Sequence, residues 1–419
     1  MVPAHPIHSV RTTLRLGVLV ALLGVLGAGS AASKVGRKRA VKPVSTTVKA
    51  QGTDCGALRK VKAPWLSVRE TPGGRGDVVE VPASLERRVK FWMRVWGETP
   101  QEVTLLVDRA HPWVQHAEVD CQDLFDSHRS WAVASKDCQR RVTLMRKQVV
   151  ARLKSGRDDL RLLRELDGQQ AWVKQAPRNV VAIRGKRAEL EAAMRRAGPH
   201  LGHVENVFGT TRVPAHYARL AIVESQWQTD VVSPSGAVGA FQLMPDTGQR
   251  YLLIRDGVDE RRDPIRSGRG AARYLAEVVK GLGSWPLAIT AYNSGPSRIK
   301  QLVKRHKTRE LGHIVDAGQR GGFGFDGQNY YAQVAAVARL TADRDMPSEP
   351  PRLETVELRK PLPLATVAAC LQQTPSRLAR ANPALGSAVV RGEQPVPKGY
   401  VVAVEVPEAQ RGPLLATRE

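Results

Sequence analysis

Aromatic residues are scarce in this chain. Phe, Trp and Tyr supply 5% of its 419 residues, so its cores have to be built mainly from Leu, Val and Ala. Cysteine is scarce as well: four residues, Cys55, Cys121, Cys138 and Cys370, are too few for a scaffold held together chiefly by disulfides. Acidic residues are outnumbered, 40 Asp and Glu against 64 Lys and Arg, leaving a formal net charge of +24. Such an excess points to an anionic partner: nucleic acid, a membrane surface or an acidic polymer. Long apolar runs are missing except for one, Leu16 to Ala28, which is shorter than the roughly 20 residues that cross a bilayer. Arg11 and Arg15 precede it and the small residues Gly29 to Ser33 follow, the order of a secretory signal. Residues 1–32 are expected to be a signal peptide, with a retained membrane anchor as the alternative. No cysteine stands at the cleavage region, which argues against a lipid-anchored form of the usual bacterial kind. Cleavage removes two arginines and leaves +22 (24 − 2). Export to the periplasm or envelope sets nucleic acid aside and leaves a wall polymer, with loose attraction to membrane or anionic wall.

Residues 33–52 are basic and poor in large apolar groups, and read as a flexible tether. Residues 53–194 carry mostly helical patterns. In Leu85 to Trp96, the residues Leu85, Val89, Trp92, Met93 and Trp96 fall on one face at three- and four-residue steps. The stretches Cys138–Leu153 and Gly185–Gly198 repeat the pattern with basic outer faces. Further on, Asp263 is a good N-cap, Pro264 suits the first helical position and Gly281 can end that helix. Pro286 and Gly295 bracket another helix, and Asn329–Leu340 reads as a third. The prolines between Pro347 and Pro351 mark a linker, residues 343–352. Residues 353–408 then read as strand, two short helices and strand, the strands being Leu353–Leu358 and Gly399–Val406. Cys121 and Cys138 are near enough in sequence to pair, whereas Cys370 lies in an apolar helical pattern and reads as a buried thiol.

Glu224 interrupts an otherwise apolar helical pattern. With Pro214 opening the helix, Tyr217, Leu220 and Ala221 share the face of Glu224. That places the carboxyl against a core or cleft wall, where burial without a cation raises its pKa and keeps a proton available. A turn-rich segment follows, in which Gly236 and Gly239 permit sharp bends or close approach of a ligand. Gln242 offers both a donor and an acceptor to sugar hydroxyls or acetamido groups, with Phe241 and Met244 as apolar walls. Tyr292 and Asn293 lie at a helix end some fifty residues later.

These ordered motifs, Glu224-Ser225, then Gly236 to Pro245, then Ala291 to Gly295 and a tyrosine in Asn329–Val334, resemble the lytic transglycosylase (SLT-type) branch of the lysozyme-like superfamily. The membrane-bound D-type enzymes also share Asp259 to Pro264. The resemblance covers roughly residues 195–342 and implies a lysozyme-like helical catalytic domain. It implies a single catalytic carboxyl, Glu224, as acid and then base in cleaving peptidoglycan glycan strands without water. Ser225 would orient or polarise the site, and Gln242, Tyr292 and Asn293 would position sugars. Tyr330 would be the late tyrosine beside the glutamate, with Tyr331 as the alternative. No cofactor or metal is implied. Ala240 and Phe241 depart from the larger residues usual before the glutamine, and are expected to alter a subsite wall. The C-terminal module resembles a LysM domain, most clearly over Pro375–Leu385, although Leu358–Ala368 lacks the usual glycine–aspartate turn.

The expected fold is therefore mainly α, with a helical N-terminal region and a small βααβ LysM-like module flanking the catalytic domain. Two rivals remain: a hydrolase using Asp230 or Asp246 as a second acid, and a non-catalytic wall-binding protein. Gly322–Gly327 spells a dinucleotide-loop pattern, but with no strand before it and no helix opening inside it the segment reads as a loop or a lid. His200 and His203 have metal-like spacing but no further ligands in phase, and read as a solvated or capping pair.

Overall fold

The computed structural model describes residues 55–63, 79–128, 130–318, 323–342 and 351–406. The expected signal peptide and tether, and residues 343–350 of the linker, lie outside them. The chain is mostly helical, but the N-terminal region is not helical throughout. Strand β1 (Leu58–Lys60) is followed by helix α1 (Glu86–Gly97), strands β2 (Val103–Asp108) and β3 (Gln115–Asp120), the long helix α2 (Trp131–Lys154) and strand β4 (Val180–Arg184). Strand β2 lies at the centre of an antiparallel sheet in the order β3-β2-β4. All six of its residues are buried, because one face (Leu105, Val107) joins the main core and the other (Leu106) packs beneath α2 with Val149 and Leu153. A strand covered on both faces shows no alternation, so its apolar run does not announce itself as β in the sequence. Cys121 and Cys138 are bonded, tying the end of β3 to α2.

Helix α3 (Arg187–Thr210) is continuous through residues 194 and 195, so the expected domain boundary falls inside a single element. One end packs on α1 and the other on the segment that carries Glu224. His203 on this helix is wholly buried, with Nε2 2.9 Å from the Pro351 carbonyl oxygen. The expectation of a solvated or capping pair therefore fails for it, since the returning chain covers that face and the imidazole meets the Pro351 carbonyl rather than a helix end. Helix α4 (Leu220–Ser225) follows a 3₁₀ turn at Ala215–Arg219. A two-stranded hairpin, β5 (Ile254–Arg255) and β6 (Val258–Asp259), leads into helix α5 (Pro264–Leu282). Asp263 caps α5 by accepting from the N–H groups of Ile265 and Arg266 at 2.9 and 3.0 Å. The helix runs past Gly281 and stops at Gly283, whose φ of +68° suits the left-handed C-cap.

Helix α6 (Trp285–Ser294) ends at Gly295. Helix α7 (Phe325–Thr341) begins four residues before the expected start at Asn329. Phe325–Gly327 is therefore its first turn rather than a loop, and Gly322 lies outside the described residues. The α7 helix packs against α1, α4 and α6, which explains why it is buried on nearly every side and has little amphipathic pattern.

The C-terminal module contains strand β7 (Leu353–Leu358), helices α8 (Leu364–Cys370), α9 (Pro375–Arg380) and the short α10 (Ser387–Val390), and strand β8 (Val401–Glu405). It has one helix more than expected. Its sheet has the order β1-β7-β8, with Leu58 opposite Leu358. The third strand thus comes from residues assigned by sequence to the N-terminal region. The same pairing overturns the reading of Cys370 as a free thiol: it is bonded to Cys55, 315 residues away, with Cα atoms 5.5 Å apart. The module packs on the β5–β6 hairpin. Val258 bridges to Leu385, the Asp259 N–H donates to the Ala384 carbonyl, and the Gly386 N–H donates to Gly257.

Candidate active site

Glu224 lies in the last turn of α4, where Leu220, Ala221 and Ile222 are completely buried. The helix cannot continue: Gln226 and Trp227 adopt φ of 54° and 63°, and Trp227 turns into the core against Phe241. The glutamate is left half-buried at the end of an apolar helix. Burial pushes its carboxyl up to about 7, offset in part by a hydrogen bond donated by the Tyr330 hydroxyl to Oε1. Among the described residues, burial and the Tyr330 hydrogen bond are the influences that set this carboxyl, with neither a cation nor a second carboxylate contributing. A group of this kind is a competent proton donor and acceptor near neutral pH.

The segment from Asp230 to Met244 wraps beside this carboxyl. Gly236 and Gly239 take φ of 85° and 80°. A Cβ on Gly239 would sit 1.9 Å from the carbonyl oxygen of Arg261, so the position excludes any side chain. Three consecutive carbonyls of this loop are each held by a residue expected to act in the site, Ser225 by orienting or polarising it and Gln242 and Tyr292 by positioning sugar. Gln242 Nε2 donates to Gly239, the Ser225 hydroxyl donates to Ala240 at 2.9 Å, and the Tyr292 hydroxyl donates to Phe241 at 2.6 Å. Their donor hydrogens shape the loop, which in turn forms the wall beside Glu224. Burial and the charge of Glu224 push the Tyr292 hydroxyl well above its ordinary pKa, so it remains a neutral donor.

A polar network behind the loop was not assigned a role from sequence. Arg261 pairs with Asp259 at 2.8 Å and donates through Nη1 to the carbonyls of Gly236 and Leu243, at 3.2 and 3.3 Å. Arg266, almost fully buried, pairs with Glu260 at 2.7 Å and Asp263 at 3.1 Å. Its guanidinium also lies 4.6 Å from the centre of the Tyr400 ring and donates to the Val401 carbonyl in the C-terminal module. The charged run Asp259–Asp263 is therefore a brace. Its signal in the sequence was the density of opposite charges, with Asp259, Glu260, Arg261, Arg262 and Asp263 in succession.

Of the adjacent tyrosines, Tyr330 reaches Glu224, while the Tyr331 hydroxyl donates to the Glu80 carbonyl at 2.9 Å. Asn329, completely buried, accepts from Arg88 and Trp92 of α1, both at 3.0 Å. The N-terminal region thus holds the helix that carries Tyr330. Asn293 is half-exposed at the end of α6, and Met244 is exposed at the edge of the loop. Phe241 is not a cleft wall. It is wholly buried between Phe208 and Trp227, and Ala240 is also buried, so the departure at these positions is absorbed by the core. Asp230 and Asp246 are exposed and do not enter the electrostatics of Glu224. Among the described residues, no group of three or more His, Cys, Asp or Glu is placed to hold a metal ion. No described helix is long and apolar enough to cross a membrane.

Residues 211–314 match the family model described as the Transglycosylase SLT domain. Over 116 residues the chain is 32% identical to membrane-bound lytic murein transglycosylase D of Escherichia coli K12, covering 27% of this chain and 26% of that protein. Over 147 residues it is 31% identical to membrane-bound lytic murein transglycosylase F 2 of Alkalilimnicola ehrlichii, covering 33% of this chain and 30% of that protein. The chain thus matches about a quarter to a third of the length of these relatives. An X-ray structure of an inactive mutant of lytic transglycosylase Slt from Pseudomonas aeruginosa aligns with 54% of this chain and 36% of its own. The sequence identity is 18% and the TM-score 0.30, too low a likeness to bear on the fold.

Proposed function

We propose that the chain is an exported peptidoglycan lytic transglycosylase that cleaves the bond between N-acetylmuramic acid and N-acetylglucosamine and leaves 1,6-anhydro ends. The observation that carries this reading is the half-buried Glu224, pushed to about 7 and hydrogen-bonded to Tyr330 beside the braced glycine loop. In the first step Glu224 gives its proton to the glycosidic oxygen as the C1–O bond breaks. The C6 hydroxyl of the muramic sugar then attacks C1, and its proton returns to the Glu224 carboxylate. Atoms balance without water, and the glutamate ends as it began. Most glycosidases need two carboxylates; a substrate that supplies its own nucleophile needs one, consistent with a site whose electrostatics involve a single carboxylate.

The SLT-domain match over residues 211–314 supports this assignment. An envelope location agrees with the membrane-bound relatives, and the net charge of +24 favours loose adsorption to an anionic wall. The LysM-like module would add contact with glycan through a face other than Ala384–Gly386, which is occupied by the β5–β6 hairpin. Mass analysis of soluble products from purified peptidoglycan tests the reading. Anhydro-ended muropeptides are expected, and Glu224→Gln should lower their release by about a thousandfold or more. Reducing ends would instead establish a hydrolase. Undiminished digestion by the variant would remove Glu224 from the chemistry.

A further inference from the structure

The loop after β2 brings a charged residue from the N-terminal region to the start of α7. Asp108 Oδ1 accepts from the N–H groups of Ala110 and His111, at 2.8 and 2.9 Å, and the Arg109 N–H donates to Asn179 at 2.7 Å. The backbone around Arg109 is thus fixed on three sides, while its side chain is exposed. The guanidinium carbon stands 5.9 Å from the centre of the Phe325 ring. The next residue, Asp326, is also exposed and feels the charge of Arg109. The two side chains nevertheless form no ion pair or hydrogen bond with each other or with any other described residue. Asp326 is one turn before Tyr330, on the same face of α7. Gly327 between them abuts α6: a Cβ there would fall 2.6 Å from the Ser294 hydroxyl, next to Asn293. This first turn therefore flanks the Glu224 site.

We infer that Arg109, Phe325 and Asp326 form a subsite for a zwitterionic peptide branch of the glycan. A branch carboxylate faces Arg109, a branch ammonium faces Asp326, and the intervening carbons lie along Phe325. The inference rests on reading the Glu224 site as a glycan site. It extends that reading to substrate choice: the N-terminal region selects strands that still carry peptides. Two opposite charges held apart on fixed backbone suit a ligand bearing both signs better than a simple anion, which Asp326 would repel.

The test has a binding arm and a turnover arm. In the first, calorimetry measures binding of a peptide-bearing disaccharide, and of the same disaccharide stripped by an amidase, to the full chain carrying Glu224→Gln. Adding Arg109→Ala should weaken the peptide-bearing ligand about fivefold relative to the stripped one, the size of a partly solvated charged contact. Arg109→Glu should weaken it more. Asp326→Asn should reduce affinity only while the peptide amine is free, an effect lost when that amine is acetylated. Equal changes for both ligands, or none, overturn the subsite. In the second arm, the preference of the unaltered chain for peptide-bearing over stripped strands should fall about fivefold in Arg109→Ala, and an undiminished preference overturns it. If the unaltered chain releases no anhydro product from either substrate, the cleavage reading fails, and calorimetry, which needs no turnover, still decides the subsite.

Discussion

At the scale of single residues, Glu224 is pulled in opposite directions. Burial raises its proton affinity and the Tyr330 hydrogen bond lowers it. Replacing Tyr330 with Phe removes the lowering influence. The alkaline limb of the activity profile, set by loss of the proton that the acid must give, should then move to higher pH. A pH–rate series on the two proteins checks this; an unmoved or acid-shifted limb refutes it. The same shift bears on stability. A carboxyl raised from 4.5 to about 7 favours the folded state fully below 4.5, and that contribution is lost as pH rises through 7. Glu224→Gln should therefore stabilise the fold more at pH 8 than at pH 5, by on the order of 1–3 kcal/mol. Denaturant titration at the two pH values measures the difference. The position of Glu224 on an apolar helical face was legible in the sequence, as was the kind of pKa shift. That Tyr330 rather than Tyr331 meets it depends on the rotation of α7 about its axis, which its nearly uniform burial leaves unmarked in the residue pattern.

At the scale of elements, the glycine loop is held from two sides. Ser225, Gln242 and Tyr292 hold its carbonyls from the front, and Arg261 holds it from behind. Gly239→Ala is expected to destabilise the fold by about 4 kcal/mol or more, since it combines an unfavourable φ with a backbone clash. Arg261→Ala should act differently. It releases the loop carbonyls and leaves Asp259 without its cation, so turnover should fall more steeply than substrate affinity, with part of the effect recovered in Arg261→Lys. Thermal melts separate the first effect from the second, and steady-state kinetics resolve the second into kcat and KM. A drop confined to KM would count against a loop-shaping role for Arg261. The run Asp259–Asp263 was visible as a motif. Its structural purpose was not, because a brace is defined by what lies across from it and those partners are distant in sequence.

At the scale of the molecule, the ends of the described chain meet. Strand β1 completes the sheet of the C-terminal module, and Cys55–Cys370 joins them. Opening a long covalent loop typically costs about 2–4 kcal/mol. Cys55→Ser with Cys370→Ser is expected to lower the stability of the module by that amount, with faster hydrogen exchange in β7 and β8 than in α3. Exchange rising equally throughout would mean that the module and the helices around Glu224 unfold as one unit, the contacts of Arg266 with Tyr400 and Val401 being enough to couple them.

The sequence by itself determined the helical caps at Asp263 and Gly295, the apolar face of Glu224, the order of the motifs around it and the strands that open and close the C-terminal module. These rest on periodicity, backbone freedom and local hydrogen bonding, which act over a few residues. Only the tertiary structure decided that β2 is a strand buried on both faces, that Cys370 pairs with Cys55, and that the donors of Ser225 and Tyr292 meet on the loop that carries Gln242. Each of these depends on surfaces or atoms far apart along the chain. Their meeting is set by how whole elements pack, and no local pattern records it.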